Sequence, residues 1–328
     1  MKAVPMKWVF KKKTNAEGKV CRYKAILVCK GFMQREGIDF VETFAPVAKF
    51  QSIRCLITIA AYYGLKPEPM HVVTAFLSPD MEEEIYIQFL QGLEVPEEIK
   101  KGAPALRLLK GLYGLKQAPR LWNDAVNATL HRLNLTRCNS DPCLFVRKEK
   151  SEFVIIALYD DDLVVTSNSD LLSKVKVALK ENYKMTDLGE LSWCLGIQVA
   201  QYQASVRLTQ WTYILKMLER FGMQDCKPCK TPAAVHFKKD CLSAGQSLSE
   251  EDTQKYQSII GSLMHAVIGT RPDIPFVLSD LSKYVSKPGK NNLVASKLQR
   301  MTWFRLEQRY QYSVPLLPSS CQAHLLPY

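Results

Sequence analysis

The sequence predicts an α+β protein, and three observations lead there. Residues 153–159 (FVIIALY) and 163–167 (LVVTS) are apolar, strand-forming runs separated by three residues. Residues 7–13 (KWVFKKK) and 20–29 (VCRYKAILVC) read as a second strand pair. Between and after them, apolar residues recur at helical spacing, as in 121–134 (LWNDAVNATLHRLN), where Trp122, Val126, Leu130 and Leu133 share one face.

In chain order, the basic hairpin comes first, with TNAEG, ending in Gly18, as its turn. Residues 52–63 (SIRCLITIAAYY) suit a buried helix, and MHVVTAFL (70–77) begins as a strand. The helix from about Leu121 follows, with Pro119 fixing the turn into it. Helical spacing returns at 170–183 (DLLSKVKVALKENY) and at 209–222 (TQWTYILKMLERFG), the latter closed by Gly222. Residues 228–255 are polar and irregular, a candidate linker, and 256–269 (YQSIIGSLMHAVIG) form a small-residue apolar helix. The last 31 residues lose all pattern.

Charge points to a polyanionic partner. The chain has 328 residues and a net charge of +12, and residues 2–35 hold ten Lys or Arg against a single acid, Glu17. A basic protein without such a partner is the plainer alternative. No apolar run reaches the roughly 18 residues that span a bilayer, and the start lacks a secretory leader. The expected location is cytoplasmic or nuclear, with no membrane partner. The ten cysteines then read mainly as small buried hydrophobes. Cys226 and Cys229 form a lone CxxC without a second ligand pair, which is weak for zinc.

Asp160, Asp161 and Asp162 stand together between the two apolar runs. Adjacent carboxylates repel one another, so their grouping fits either a solvated acidic turn or a hard-cation site. Mg²⁺ takes oxygen ligands, commonly one or two carboxylates plus substrate phosphates. Two such ions about 4 Å apart serve nucleotidyl transfer.

At these residues the chain resembles a known family. Tyr159-Asp160-Asp161-Asp162-Leu163 is similar to the Tyr-x-Asp-Asp motif of reverse transcriptases. Residues 7–50 resemble the opening of the copia-type reverse-transcriptase domain almost throughout. TAFL (74–77), LYGLKQAPRLW (112–122), MTDLGELSWCLGIQV (185–199), LTQWTYILKMLERFGM (208–223) and GTRPDI (269–274) follow in the family's order, so the resemblance covers residues 4–297.

The resemblance implies a right-hand polymerase. Fingers would take about 4–68 and 78–120, palm about 69–77 and 121–200, thumb about 201–227 and a connection about 228–297. It implies Asp161 and Asp162 as the adjacent catalytic aspartates and metal ligands, with Mg²⁺ or Mn²⁺ in a two-metal site. Lys24, Phe76, Gln117 and Tyr159 would meet the deoxynucleoside triphosphate, Lys24 at phosphate and Phe76 as the ring that excludes a 2′-hydroxyl. Arg120, Gly196, Lys216 and Arg220 would meet an RNA or DNA template-primer, Gly196 within a hairpin (195–197) and Lys216 and Arg220 on a thumb helix. A solvated lysine, a core phenylalanine and a surface ion pair are the plainer readings of Lys24, Phe76 and Arg120.

The pattern breaks in four places. The family reads Met-Asp-Val-x-Thr-Ala-Phe-Leu where this chain reads Met70-His71-Val72-Val73-Thr74-Ala75-Phe76-Leu77, so His71 replaces the third catalytic carboxylate. Imidazole suits softer metals than Mg²⁺, and the polymerase is expected to be impaired. Asp160 stands where the family has an apolar residue; strand alternation would turn it away from Asp161, towards an apolar layer, where a carboxylate is a packing fault. Ile26 replaces an Arg. After Lys297 the resemblance ends; residues 298–328 hold one acid, Glu307, and are expected to be a divergent tail without the carboxylates of an RNase H domain. The readings left are an RNA-directed DNA polymerase, expected to be impaired, a non-catalytic nucleic-acid-binding remnant, or a decayed element.

Overall fold

A computed structural model describes residues 3–14, 19–90, 92, 95–102, 105–202, 205–226, 237, 245–301 and 312–315. It divides into two compact units, 1–53 with 67–189 and 54–66 with 190–328.

The first unit opens with a hairpin, β1 (Met6–Thr14) against β2 (Val20–Cys29). Its turn, from Asn15 to Gly18, lies outside the described residues. Pairing sets Lys11 opposite Lys24 and Lys13 opposite Arg22. Side chains alternate along a strand, so Lys7, Lys11, Lys13, Arg22 and Lys24 share one face and Trp8, Phe10 and Tyr23 the other.

Helix α1 (Phe50–Tyr62) runs from the first unit into the second. It buries Ile53, Leu56, Ile57, Ala60 and Ala61 at the spacing of a single helical stripe. The elements that follow are β3 (Glu68–Val72), β4 (Tyr86–Ile87), α2 (Glu97–Gly102), β5 (Leu106–Arg107) and α3 (Ala118–Arg132). Next come β6 (Thr136–Cys138), β7 (Asp141–Glu149), β8 (Glu152–Tyr159), β9 (Asp162–Ser167), α4 (Leu171–Asn182) and β10 (Met185–Asp187). Six strands make one antiparallel sheet in the order β10-β3-β9-β8-β7-β6. The core of β8 and β9 is buried on both faces, which explains their unbroken apolar runs. Helix α4 packs on β8 and β9 through Leu171, Val175 and Leu179. In α3, Pro119 sits in the first turn and Trp122, Val126 and Leu130 are buried.

Two glycine contacts tie the start of this unit to the loop before α3. A Cβ on Gly31 would stand 1.9 Å from the Gly114 carbonyl oxygen, and one on Gly114 would stand 2.2 Å from the Cys29 carbonyl. The backbones therefore touch where side chains would keep them apart. The Cys29 N–H donates to the Tyr113 carbonyl at 2.8 Å, closing the contact.

The second unit carries β11 (Trp193–Cys194), β12 (Ile197–Gln201) and β13 (Ser205–Thr209). Its helices are α5 (Trp211–Arg220), α6 (Glu250–Gly269), α7 (Pro275–Ser282) and α8 (Lys290–Met301), followed by β14 (Tyr312–Pro315). Ile214, Met217 and Leu218 of α5 share a core with Tyr256, Ile259, Ile260, Leu263, Val277, Leu278 and Leu281. Gly269-Thr270-Arg271-Pro272-Asp273-Ile274 closes this core. Gly269 lies against the Gln210 amide, Thr270 donates to Gln210 Oε1 at 2.9 Å, and buried Arg271 binds Asp273 through two hydrogen bonds of 2.8 and 2.7 Å. That motif is a structural clasp.

Several expectations change. The turn between the apolar strands contains only Asp160 and Asp161, because Asp162 already pairs with Tyr159 as the first residue of β9. Asp160 as a residue is exposed at the turn with φ 56°, and it also lines a small cavity with Pro46, Pro119, Trp122 and Leu158. The irregular stretch ends at Ser249, whose hydroxyl caps α6 by accepting from the Asp252 N–H at 3.2 Å. Residues 227–236, Cys229 among them, and 238–244 lie outside the described residues. In the expected patternless tail, α8 continues to Met301 and β14 pairs antiparallel with β13; 302–311 and 316–328 lie outside the described residues. Of the seven described cysteines only Cys29 and Cys143 are buried; Cys21 and Cys55 are exposed.

Candidate metal and polymerase site

The site is built by strand pairing. β9 runs antiparallel to both β8 and β3, and its first residue, Asp162, lies directly opposite Tyr159 on one side and His71 on the other. The Val72 N–H donates to the Asp161 carbonyl at 2.8 Å, which fixes the turn against β3. His71 Nδ1 then stands 2.9 Å from Asp162 Oδ1 and 3.9 Å from Asp161 Oδ2. One ligand atom from each of the three residues lies within 4.8 Å of the others. His71 and Asp161 are half-buried and Asp162 is exposed, so the group is open to solvent.

The turn is braced from beneath. The Trp122 indole N–H donates to the Asp160 carbonyl at 2.7 Å, and the ring meets Tyr183 edge-on at 5.0 Å. Asp160 as a residue is exposed, yet its carboxyl is held above the ordinary range. Local desolvation is the larger cause, followed by the Asp161 and Asp162 charges. The Tyr113 phenol is likewise pushed up, first by burial and then by Asp161 and Asp160.

The residues expected at the nucleotide divide. Phe76 lies in a short 3-10 turn (Ala75–Leu77) beyond β3, half-buried, edge-on to Tyr113 at 5.1 Å and packed on the cluster that includes Val4, Cys29 and Leu115. Tyr159 ends β8 beside the acidic turn. Lys24 is exposed on the basic face of the first hairpin. Gln117 is fully buried. Its amide donates to the Asp39 carbonyl at 3.0 Å and to Glu83 at 3.2 Å, and its oxygen accepts from Gln34 at 3.0 Å.

Of the residues expected at a template-primer, Arg120 pairs with Glu82 at 2.7 Å and Asp124 at 3.2 Å and donates to the Glu42 carbonyl. The surface ion pairs foreseen as its plainer reading are present. Gly196 (φ 78°) and Leu195 (φ 50°) form the two-residue turn between β11 and β12, with Cys194 opposite Ile197. Lys216 and Arg220 are exposed on α5, one turn apart. Asp80 lies apart from the acidic group, paired with Lys110 at 3.6 Å.

Sequence reasoning missed Tyr113 and the bracing role of Trp122. Both lie in the stretch LYGLKQAPRLW, whose density of aromatics beside Gln117 was the available signal. Among the described residues no helix is long and apolar enough to cross a membrane.

The family model described as reverse transcriptase (RNA-dependent DNA polymerase) matches residues 1–235. The Retrovirus-related Pol polyprotein from transposon TNT 1-94 of Nicotiana tabacum is 40% identical over 89% of this chain and 22% of its own length. That from transposon RE1 of Arabidopsis thaliana is 35% identical over 90% and 20%. The transposon Ty5-1 protein of Saccharomyces cerevisiae is 32% identical over 70% of this chain and 73% of its own. The chain thus spans about a fifth of the two Pol polyproteins. A solved foamy viral protease–reverse transcriptase in complex with double-stranded DNA aligns over 90% of this chain and 45% of its own, at 11% identity and a TM-score of 0.38, too loosely to argue from. On its matched length and on these relatives, the chain belongs to the reverse transcriptase (RNA-dependent DNA polymerase) family, in the copia-type branch carried by retrotransposon Pol polyproteins.

Proposed function

We propose that this domain binds a nucleic-acid template-primer and that polymerisation by it with Mg²⁺ is suppressed at the metal site. The observation that carries the reading is the imidazole of His71 at 2.9 Å from Asp162, in the place where the family's chemistry calls for a third carboxylate. A pair of Mg²⁺ ions, when bound, lowers the barrier by neutralising charge on the attacking and leaving oxygens. The donor set here does not fit that pair. It has two carboxylates and one nitrogen, and a single uncharged imidazole nitrogen cannot bridge two hard cations as a carboxylate does.

The remaining residues keep the features of a nucleic-acid surface. The hairpin presents Lys7, Lys11, Lys13, Arg22 and Lys24 on one face, where phosphate charge would be attracted. Lys216 and Arg220 lie one turn apart on an exposed helix face, a spacing suited to duplex phosphates. In this reading 4–68 and 78–120 act as fingers, 69–77 and 121–200 as palm, 201–227 as thumb and 228–297 as connection. Phe76, braced by Tyr113, would limit the space at a bound sugar.

The test is primer extension on an RNA template with Mg²⁺, comparing the natural chain, His71→Asp, and His71→Asp with Asp161→Asn. The expected outcome is extension by His71→Asp alone. Extension by the natural chain with Mg²⁺ would overturn the proposed suppression.

A further inference from the structure

The mismatch with Mg²⁺ has a positive side. We infer that His71, Asp161 and Asp162 form a single-ion site for a divalent transition metal of the Mn²⁺, Co²⁺ or Zn²⁺ class, with the His71 imidazole as a direct ligand. The inference concerns the same side chains as the proposed function. It rests on their geometry and holds whether or not the domain binds nucleic acid.

Three facts support it. First, the donors already converge, with one nitrogen and two carboxylate oxygens within 4.8 Å of one another. Around one ion with bonds of about 2.1 Å, adjacent donors lie about 3.0 Å apart in octahedral geometry and about 3.4 Å in tetrahedral geometry. The His71–Asp162 and His71–Asp161 separations of 2.9 and 3.9 Å bracket those values, and side-chain rotation would close the remaining carboxylate pair, which lies within 4.8 Å.

Second, the donors sit on a rigid frame. His71 and Asp162 are cross-strand partners in the interior of a six-stranded sheet, with Thr186 of β10 opposite His71 on the other side. Asp161 is held by the Val72 N–H on its carbonyl. Little ordering is left for the ion to impose.

Third, the donor types choose the ion. Imidazole with carboxylate suits Zn²⁺, Co²⁺ and Mn²⁺, whereas Mg²⁺ holds to oxygen and gives up its waters reluctantly. Three protein ligands leave coordination positions open on a solvent-accessible side. His71 Nδ1 already faces Asp162 Oδ1 at 2.9 Å.

The test loads the full chain with Mn²⁺, which avoids the thiolates that would compete for zinc. Bound Mn²⁺ is counted by electron paramagnetic resonance, and pulsed measurements read nitrogen coupling from a coordinated imidazole. One tightly bound ion with nitrogen coupling is expected, not displaced by a hundredfold excess of Mg²⁺. His71→Gln should remove the coupling and weaken Mn²⁺ at least tenfold; Asp161→Asn should weaken it similarly. Circular dichroism establishes that each variant is folded, and Asp162→Asn serves in place of either that is not. No bound ion, an ion without nitrogen coupling, or coupling that survives His71→Gln would each overturn the site. Template-primer binding in a chelator is measured alongside. Its loss with the metal signal intact would count against the proposed function and leave the site standing.

Discussion

His71 and Asp162 face each other across β3 and β9, with Nδ1 2.9 Å from Oδ1. Directly opposed residues on antiparallel strands interact at close range. Replacing His71 by Asp sets two carboxylates opposite one another with Asp161 beside them. The expected loss of stability without divalent ions is about 0.5–1 kcal/mol, kept small by solvent exposure. Millimolar Mg²⁺ should restore it by binding only the folded variant. Thermal unfolding with and without Mg²⁺ checks this, and the natural chain should show much the smaller response.

The Gly31–Gly114 contact makes a sharper stability prediction. A methyl on Gly31 would meet the Gly114 carbonyl at 1.9 Å, and backbone does not move aside as a flexible side chain does. Gly31→Ala should destabilise the first unit by about 1–3 kcal/mol. Gly261, exposed in the interior of α6, meets nothing within 4 Å. Gly261→Ala should therefore stabilise by up to about 1 kcal/mol. Urea denaturation of the two variants compares them directly, and equal midpoints would remove the backbone contact as an explanation for Gly31.

These cases mark what was legible in the residues alone. FVIIALY and LVVTS were readable as strands because burial on both faces leaves an apolar run. The helix around Trp122, Val126 and Leu130 was readable because one face is apolar. Asp161, Asp162 and His71 were grouped by resemblance to a family, since 91 positions separate His71 from its partner and no local pattern spans them. The turn's length was misread by one residue because an Asp at a strand end looks like an Asp in a turn. The pairing of β14 with β13 and the approach of Gly31 to Gly114 are set by tertiary contact, which periodicity does not encode. Gln117 was placed by resemblance at a nucleotide, and the fold buries its amide among Gln34, Asp39 and Glu83.

Asp141 predicts how stability depends on pH. It is buried at the start of β7, where Oδ2 accepts from the Lys49 N–H at 2.9 Å and from the Ser52 hydroxyl, and Oδ1 accepts from the Cys143 N–H. Burial alone would raise its carboxyl, but these hydrogen bonds, Ser52 first, outweigh burial and leave it below its ordinary value. A carboxyl depressed in the folded state contributes stability above its unfolded value of about 3.9, and that contribution is lost as pH falls through the folded value. Asp141→Ala should lower stability by about 2–3 kcal/mol at neutral pH. The gap from the natural chain should narrow only in acid below about pH 4. Urea melts across that range test it; a gap independent of pH would mean that the ionised form is not what the fold uses.

The exposed cations of α5 predict a salt dependence. Ile214, Met217 and Leu218 turn one face of the helix into the core, and Lys216 and Arg220 stand outside it at a separation of one turn. If each neutralises one phosphate of a bound duplex, its removal releases one fewer counterion on binding. Replacing both by Ala should weaken template-primer binding and flatten the slope of log affinity against log salt by about two. The fold should be unaffected, because neither side chain belongs to the core. Fluorescence anisotropy with a labelled template-primer at several salt concentrations measures the slope. An unchanged slope would take α5 out of the interface and leave the hairpin cations Lys11, Lys13 and Lys24 as the next residues to replace.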